Sequence, residues 1–207
     1  MFNKLTALLA VLTMAMGLCT TAQAQQAGQV REYYACNFLE GKDMDDLMAA
    51  RDYMVETTGN MYSGTTFLWT PVKTNNELDF LWFNNYESIT TWGDESAEYF
   101  GSAAGQAVEQ RFLQIVDCVS GLVTQQPIFE GGAFQPQQGV NPVIISFACN
   151  LKPGHSLAEV NEAVAHYNQV VTQLGTHRNF NAFMQVPIVS SAGRDLFFYG
   201  VYSSLPA

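Results

Sequence analysis

The sequence predicts an α+β fold of two tandem β-α-β-β-α-β units packed sheet to sheet, the second unit incomplete at its C-terminus. Three observations carry this. First, Tyr33-Tyr34-Ala35-Cys36-Asn37-Phe38 returns, loosened, as Ser146-Phe147-Ala148-Cys149-Asn150-Leu151, 113 residues further on. Second, each copy runs into a Gly-containing turn and a capped helix start. Third, two more strands match at an offset of 116 residues: Pro71 falls opposite Pro187, and Asp79-Phe80-Leu81-Trp82-Phe83 opposite Asp195-Leu196-Phe197-Phe198-Tyr199.

Residues 1–24 read as a secretory signal peptide. Lys4 opens it, an apolar run from Leu5 to Leu18 follows, and Ala22-Gln23-Ala24 is a small-x-small cleavage site. The run is too short to span a bilayer, so no stable membrane span is expected. A lipoprotein reading would use Cys19, but bulky Leu18 stands where a small residue is needed. Cleavage near Ala24 places the mature chain in the periplasm or outside the cell. The leader holds one of the nine basic residues and none of the nineteen acids, leaving eight against nineteen. Such a surface repels phosphate backbones, which argues against nucleic acid as a partner.

The first unit, residues 25–130, begins with a strand over Arg31–Leu39. Asp43 then caps a helix whose apolar face carries Met44, Leu47, Met48, Met54 and Val55. Thr65–Val72 is a strand, and its Pro71, matched by Pro187, marks an edge or a bulge. Asp79–Tyr86 is the next strand. A long helix from Ser88 to about Val116, interrupted near Gly101–Gly105, leads to a strand over Cys118–Phe129. Residues 131–141, with Gly131-Gly132, Pro136 and three Gln, form a linker. In the second unit, residues 142–207, Ser156 and Glu159 form a capping box and Gly175 is a natural C-cap. Strands over Asn181–Ile188 and Leu196–Tyr202 end the series.

Three cysteines follow the leader. An exported chain favours pairing, and Cys36 with Cys118 across neighbouring strands is the pair expected. By the same offset the partner of Cys149 would lie near position 234, past Ala207. The expectation is therefore a C-terminally truncated two-copy protein, the alternative being an unpaired cysteine in a shortened copy. An uncovered sheet would then favour a homodimer.

Phe80-Leu81-Trp82-Phe83 and Leu196-Phe197-Phe198-Tyr199 are apolar at every position, so both faces of each sheet must be buried. Helices cover one face. The bare face of one copy packing on the bare face of the other gives a pseudo-twofold barrel. In topology and repetition the chain resembles the dimeric α+β barrel superfamily, in its members with two fused ferredoxin-like halves. The resemblance implies ligands held between sheet and helices. It also implies activities that range from small monooxygenases and haem-degrading oxygenases to haem-dependent peroxidases and binding proteins. Some haem-degrading members use a first-strand Asn, a third-strand Trp and a second-helix His. Asn37 and Trp82 match the first two, but no His lies between Ser88 and Val116, so haem is not expected.

Asn37 and Asn150 either orient a ligand or close the strand-to-helix turn by bonding local backbone. Trp69, Trp82, Trp92, Tyr86 and Tyr202 either line an aromatic pocket or fill the core. Asn84-Asn85 midway along a strand suggests a cavity or a bulge. The candidate ligand-binding residues are thus Asn37, Trp82, Asn84, Tyr86 and Asn150. His155, His166 and His177 do not share a metal-binding spacing and read as solvated. No Ser-His-Asp order, phosphate loop, Cys-x-x-Cys or His-Glu-x-x-His is present, so no cofactor or metal is expected. The function expected is non-catalytic binding of a small, largely apolar molecule in the barrel. The alternatives are an oxygenase-like enzyme of monooxygenase or haem-degrading type, and a protein-interaction module.

Overall fold

The computed structural model describes residues 29–59, 61–72, 78–131, 141–175, 180–190 and 193–203. The expected leader, the interior of the expected linker and His177 lie outside them. β1 (Gln29–Phe38) leads into α1 (Met44–Thr58), followed by β2 (Thr65–Trp69) and β3 (Phe80–Tyr86). The long second helix is two helices, α2 (Ile89–Gly101) and α3 (Ala103–Phe112). They are followed by β4 (Val116–Glu130), β5 (Val143–Cys149), α4 (Leu157–Leu174), β6 (Phe180–Ser190) and β7 (Leu196–Tyr202).

The caps explain where the helices begin. The Asp43 side chain accepts from the backbone N–H groups of Asp45 and Asp46, and Ser156 and Glu159 bond reciprocally at the start of α4. Ser102 breaks the second helix: its extended backbone ends α2, and its hydroxyl accepts from Gly105 N to start α3. Gly175 closes α4 in the left-handed conformation at φ 61°.

All pairings are antiparallel, and the strands form one sheet in the order β2-β3-β1-β4-β6-β7-β5. The order β6-β7-β5 repeats β2-β3-β1. The two aligned prolines take different routes to the same end. β2 is an outer strand that stops before Pro71, whereas Pro187 sits in an inner strand beside a register shift where Ile188 is skipped.

The repeat is visible in a pair of matching clasps. Asp79 accepts from Phe38 N at 2.7 Å and donates its own N–H to the Cys36 carbonyl at 3.0 Å. Asp195 accepts from Leu151 N at 2.7 Å and donates to the Cys149 carbonyl at 3.1 Å.

The curled sheet brings the bare faces of the two copies together. Tyr33, Phe83 and Val123 pack with Trp69, Leu81 and Phe197, and the Trp69 and Tyr199 rings lie 5.5 Å apart. The halves are joined edge to edge as well, by β4 with β6, so the packed sheets are parts of one continuous sheet. On the outer face, Phe80, Leu47, Ala50, Ile115 and Val116 bury one core under the first three helices. Ile128, Met184 and Leu196 form another under α4. Cys36 and Cys118 are directly opposed on β1 and β4 and form a disulfide, while Cys149 is free. β5 is the other outer strand, and its Phe147 is 60% exposed. Among the described residues no helix is long and apolar enough to cross a membrane.

Candidate functional site

Strand alternation sends neighbouring residues of β1 to opposite faces. Arg31 and Tyr33 point into the barrel, while Glu32, Tyr34 and Cys36 point toward the helices. On β3 the residues facing the helices are Phe80, Trp82, Asn84 and Tyr86. Between this half of the sheet and α1–α3 lies a cavity of about 250 Å³. Leu47, Met54, Phe80 and Phe112 make its apolar wall, and the disulfide lines part of the sheet side. Its polar groups include Tyr34, Asn84, Tyr99 and Glu109.

Glu32 is the hub of the polar end. It accepts from Trp92 Nε1 at 3.2 Å, Tyr86 Oη at 3.3 Å and Asn84 Nδ2 at 3.4 Å, and from the Tyr34 hydroxyl. Asn84 Oδ1 in turn accepts from Trp82 Nε1 at 2.9 Å and Thr66 Oγ1 at 3.0 Å. A second acid, Glu109 of α3, accepts from Tyr99 Oη at 3.0 Å. Burial, with a smaller contribution from the charge of Glu32, pushes its carboxyl above the ordinary glutamate range. Burial and these carboxylates push the Tyr34, Tyr62, Tyr86 and Tyr99 hydroxyls well above the usual phenol range. All four therefore remain protonated at neutral pH. The site is a ring of phenol donors facing two carboxylates, beside an apolar pocket.

Of the residues expected from the sequence, Trp82 and Asn84 line this cavity. Tyr86 lies just beyond it, bonded to Glu32 and packed with Val30, Leu122, Tyr62 and Trp92. Asn37 and Asn150 are elsewhere. Asn37 is exposed and its Oδ1 accepts from Asp79 N at 3.2 Å, within the clasp. Asn150 is exposed between the Cys149 carbonyl and the Arg194 guanidinium. Neither lines the cavity, and the Asn37 amide bonds the start of β3, 42 residues away, instead of the turn that leads into α1. The five aromatic residues do not share one pocket: Trp69 is inside the barrel, and Tyr202 lines an apolar groove under α4 with Phe147, Val164 and Phe198.

Sequence reasoning missed Glu32, Tyr34, Tyr99 and Glu109. One signal was present, the adjacent charges Arg31-Glu32 inside an aromatic strand, which pleating must send to opposite buried faces.

The residues lining this first-half cavity do not fit a haem. Its iron needs an imidazole, thiolate or phenolate ligand. The cavity has no histidine, Cys36 and Cys118 are joined, and its tyrosines stay protonated. His155 and His166 are exposed on the other half. Among the described residues no cluster of three or more His, Cys, Asp or Glu is placed to hold a metal.

No family model matches the chain, and no curated protein matches its sequence. Solved structures match in fold. One is a protein provisionally named a monooxygenase, from Fusobacterium nucleatum subsp. nucleatum. It is 12% identical, with a TM-score of 0.57 over 87% of this chain and 78% of that one. A protein provisionally named a chlorite dismutase is 10% identical, at 0.52 over 86% and 81%. An anthrone oxidase-like protein is 11% identical, at 0.52 over 87% and 75%. The chain has the dimeric α+β barrel fold, a likeness of architecture alone.

Proposed function

We propose that the protein is an oxygenase-like enzyme. In this reading the first-half cavity takes a flat, largely apolar molecule bearing an acidic C–H bond, with dioxygen as the oxidant. The observation that carries the proposal is Glu109, a carboxyl lifted by burial on the wall of an apolar cavity and held by Tyr99. A carboxylate with raised proton affinity is the group needed to remove a proton from a bound carbon acid. Pure binding of an apolar molecule, the function first expected, gives such an acid no task. The neighbours named for monooxygenase and anthrone oxidase activity support the same direction.

The chemistry balances with dioxygen alone. Glu109 takes a proton from an activated CH₂ group and leaves a carbanion delocalised over the aromatic system. The carbanion gives its electron pair to dioxygen, a C–O bond forms, and the returning proton completes a hydroperoxide. Loss of water leaves a carbonyl, so one CH₂ and one O₂ become one C=O and one H₂O. Trp82 supplies a face for the ring system. Asn84 and Glu32 fix the indole and phenol donors around it.

Oxygen-electrode traces with a panel of polycyclic ketones and phenols test this. Substrate-dependent oxygen uptake by the wild type should fall at least tenfold in Glu109→Gln, while quenching of tryptophan fluorescence by the substrate persists. Saturable quenching without oxygen uptake by the wild type would restore the binding-only reading.

A further inference from the structure

Arg31 is 4% exposed at the centre of the barrel, on the face of β1 opposite Glu32. Its guanidinium carbon lies 5.1 Å from the Phe83 ring centroid, 5.2 Å from Tyr199, 5.8 Å from Trp69 and 5.9 Å from Phe67. Nε donates to Asn85 Oδ1 at 2.6 Å, and the side chain also bonds Tyr199. Nη1 is buried and has no hydrogen-bond partner among the described residues.

The polar groups bonded around it, among the described residues, are neutral. Tyr199 donates to Gln125 Oε1 at 2.5 Å, which also accepts from Gln185 Nε2 at 3.2 Å. The Tyr199 phenol is pushed up to about 12 by burial, with Arg31 acting against the rise, so it carries no negative charge at neutral pH. No salt bridge to Arg31 occurs among the described residues. A buried charge is ordinarily paired, because leaving it alone costs several kcal/mol. Four ring faces recover part of that cost. They do not satisfy an N–H, and they leave a net positive charge inside the barrel.

We propose that the barrel interior is an anion site. A small monovalent anion, free or as the carboxylate of a larger ligand, accepts from Arg31 Nη1 within the ring of Phe67, Trp69, Phe83 and Tyr199. Of the four rings, Phe67 belongs to the outer strand β2 and is 41% exposed, so the cage around the guanidinium reaches the surface on that side. The site faces away from the first-half cavity and does not depend on the reading of that cavity.

The test is thermal unfolding of the purified protein at fixed ionic strength in sodium gluconate, with chloride, nitrate, formate or benzoate replacing gluconate stepwise. Binding at about ten times the dissociation constant should raise the melting temperature by about 3–6 °C, saturably. Chloride, nitrate and formate acting alike indicate a free anion. Benzoate acting far more strongly indicates a carboxylate carried on a ring. Arg31→Met should abolish the rise and should melt in gluconate no lower than the wild type, since the unpaired charge is gone. If Arg31→Met does not fold, Arg31→Lys with its single-point donor should weaken anion binding at least tenfold. No anion-specific rise in the wild type, or an undiminished rise in the folded variant, overturns the proposal.

Discussion

Replacing Cys36 and Cys118 together by alanine measures how far the first half depends on its covalent crossbar. The bridge spans 82 residues. Holding ends that far apart in sequence together removes about 15 cal/mol/K from the unfolded chain, about 4.5 kcal/mol at 25 °C. The folded state changes little, because both cysteines sit inside a ladder in which β1 and β4 pair from Gln29 to Phe38. Loss of two sulfur atoms from the pocket side of the sheet adds about 1 kcal/mol more. The expected loss of about 5–6 kcal/mol is a large share of the 5–15 kcal/mol typical of whole proteins. The assay is urea unfolding on a Cys149→Ser background, so that no third thiol can exchange. The midpoint should fall by about 2 M, and unfolding the bridged parent in reductant should reproduce that fall to within the about 1 kcal/mol that the retained sulfurs contribute. A loss below about 1 kcal/mol, or a reduced parent that stays within about 1 kcal/mol of the bridged one, would refute the argument.

Glu109 and the α2–α3 junction give further tests. Because the folded Glu109 carboxyl holds its proton more tightly than in the unfolded chain, the native state loses stability as pH rises from the ordinary glutamate value through the raised one. The stability of Glu109→Gln minus that of the wild type should therefore climb across that window and level off above it; a flat difference in pH-resolved denaturation would contradict this. A β-carbon at Gly105 would lie 2.0 Å from the Tyr99 carbonyl oxygen, so Gly105→Ala must part α2 from α3. It should cost about 1–3 kcal/mol in chemical denaturation and remove the pH signature of Glu109. At Gly93, in α2, a β-carbon meets nothing within 4 Å, and Gly93→Ala should instead stabilise by about 0.5–1 kcal/mol.

The fold was legible because its signals are local and occur twice. The Ala-Cys-Asn strands, the capping residues Asp43 and Ser156, and the aligned prolines need no knowledge of what lies across the molecule. The disulfide was legible too, since only one pairing placed two cysteines on neighbouring strands of one copy. The site was legible only in part. Trp82 and Asn84 drew notice as unusual strand residues, but Glu32 and Glu109 are 77 positions apart in sequence and resemble other surface acids. What distinguishes them is pleat direction for Glu32 and the break at Ser102 for Glu109, and both are settled by tertiary packing. Asn37 and Asn150 stood out because they repeat, and their shared setting beside the aspartate clasp explains the repetition. The edge-to-edge seam was hidden because Pro187 argues against an inner strand unless the local register slips there.

The fifteen-residue β4 has β1 along one edge and β6 along the other, the latter through a pairing that runs from Gly121 to Glu130. Neither half owns it. Cutting the backbone between residues 132 and 140 should yield an N-terminal piece with a long bare edge and a C-terminal piece lacking its first neighbour. Such fragments should be poorly ordered alone and should reassemble when mixed, and the intact chain should melt in a single step.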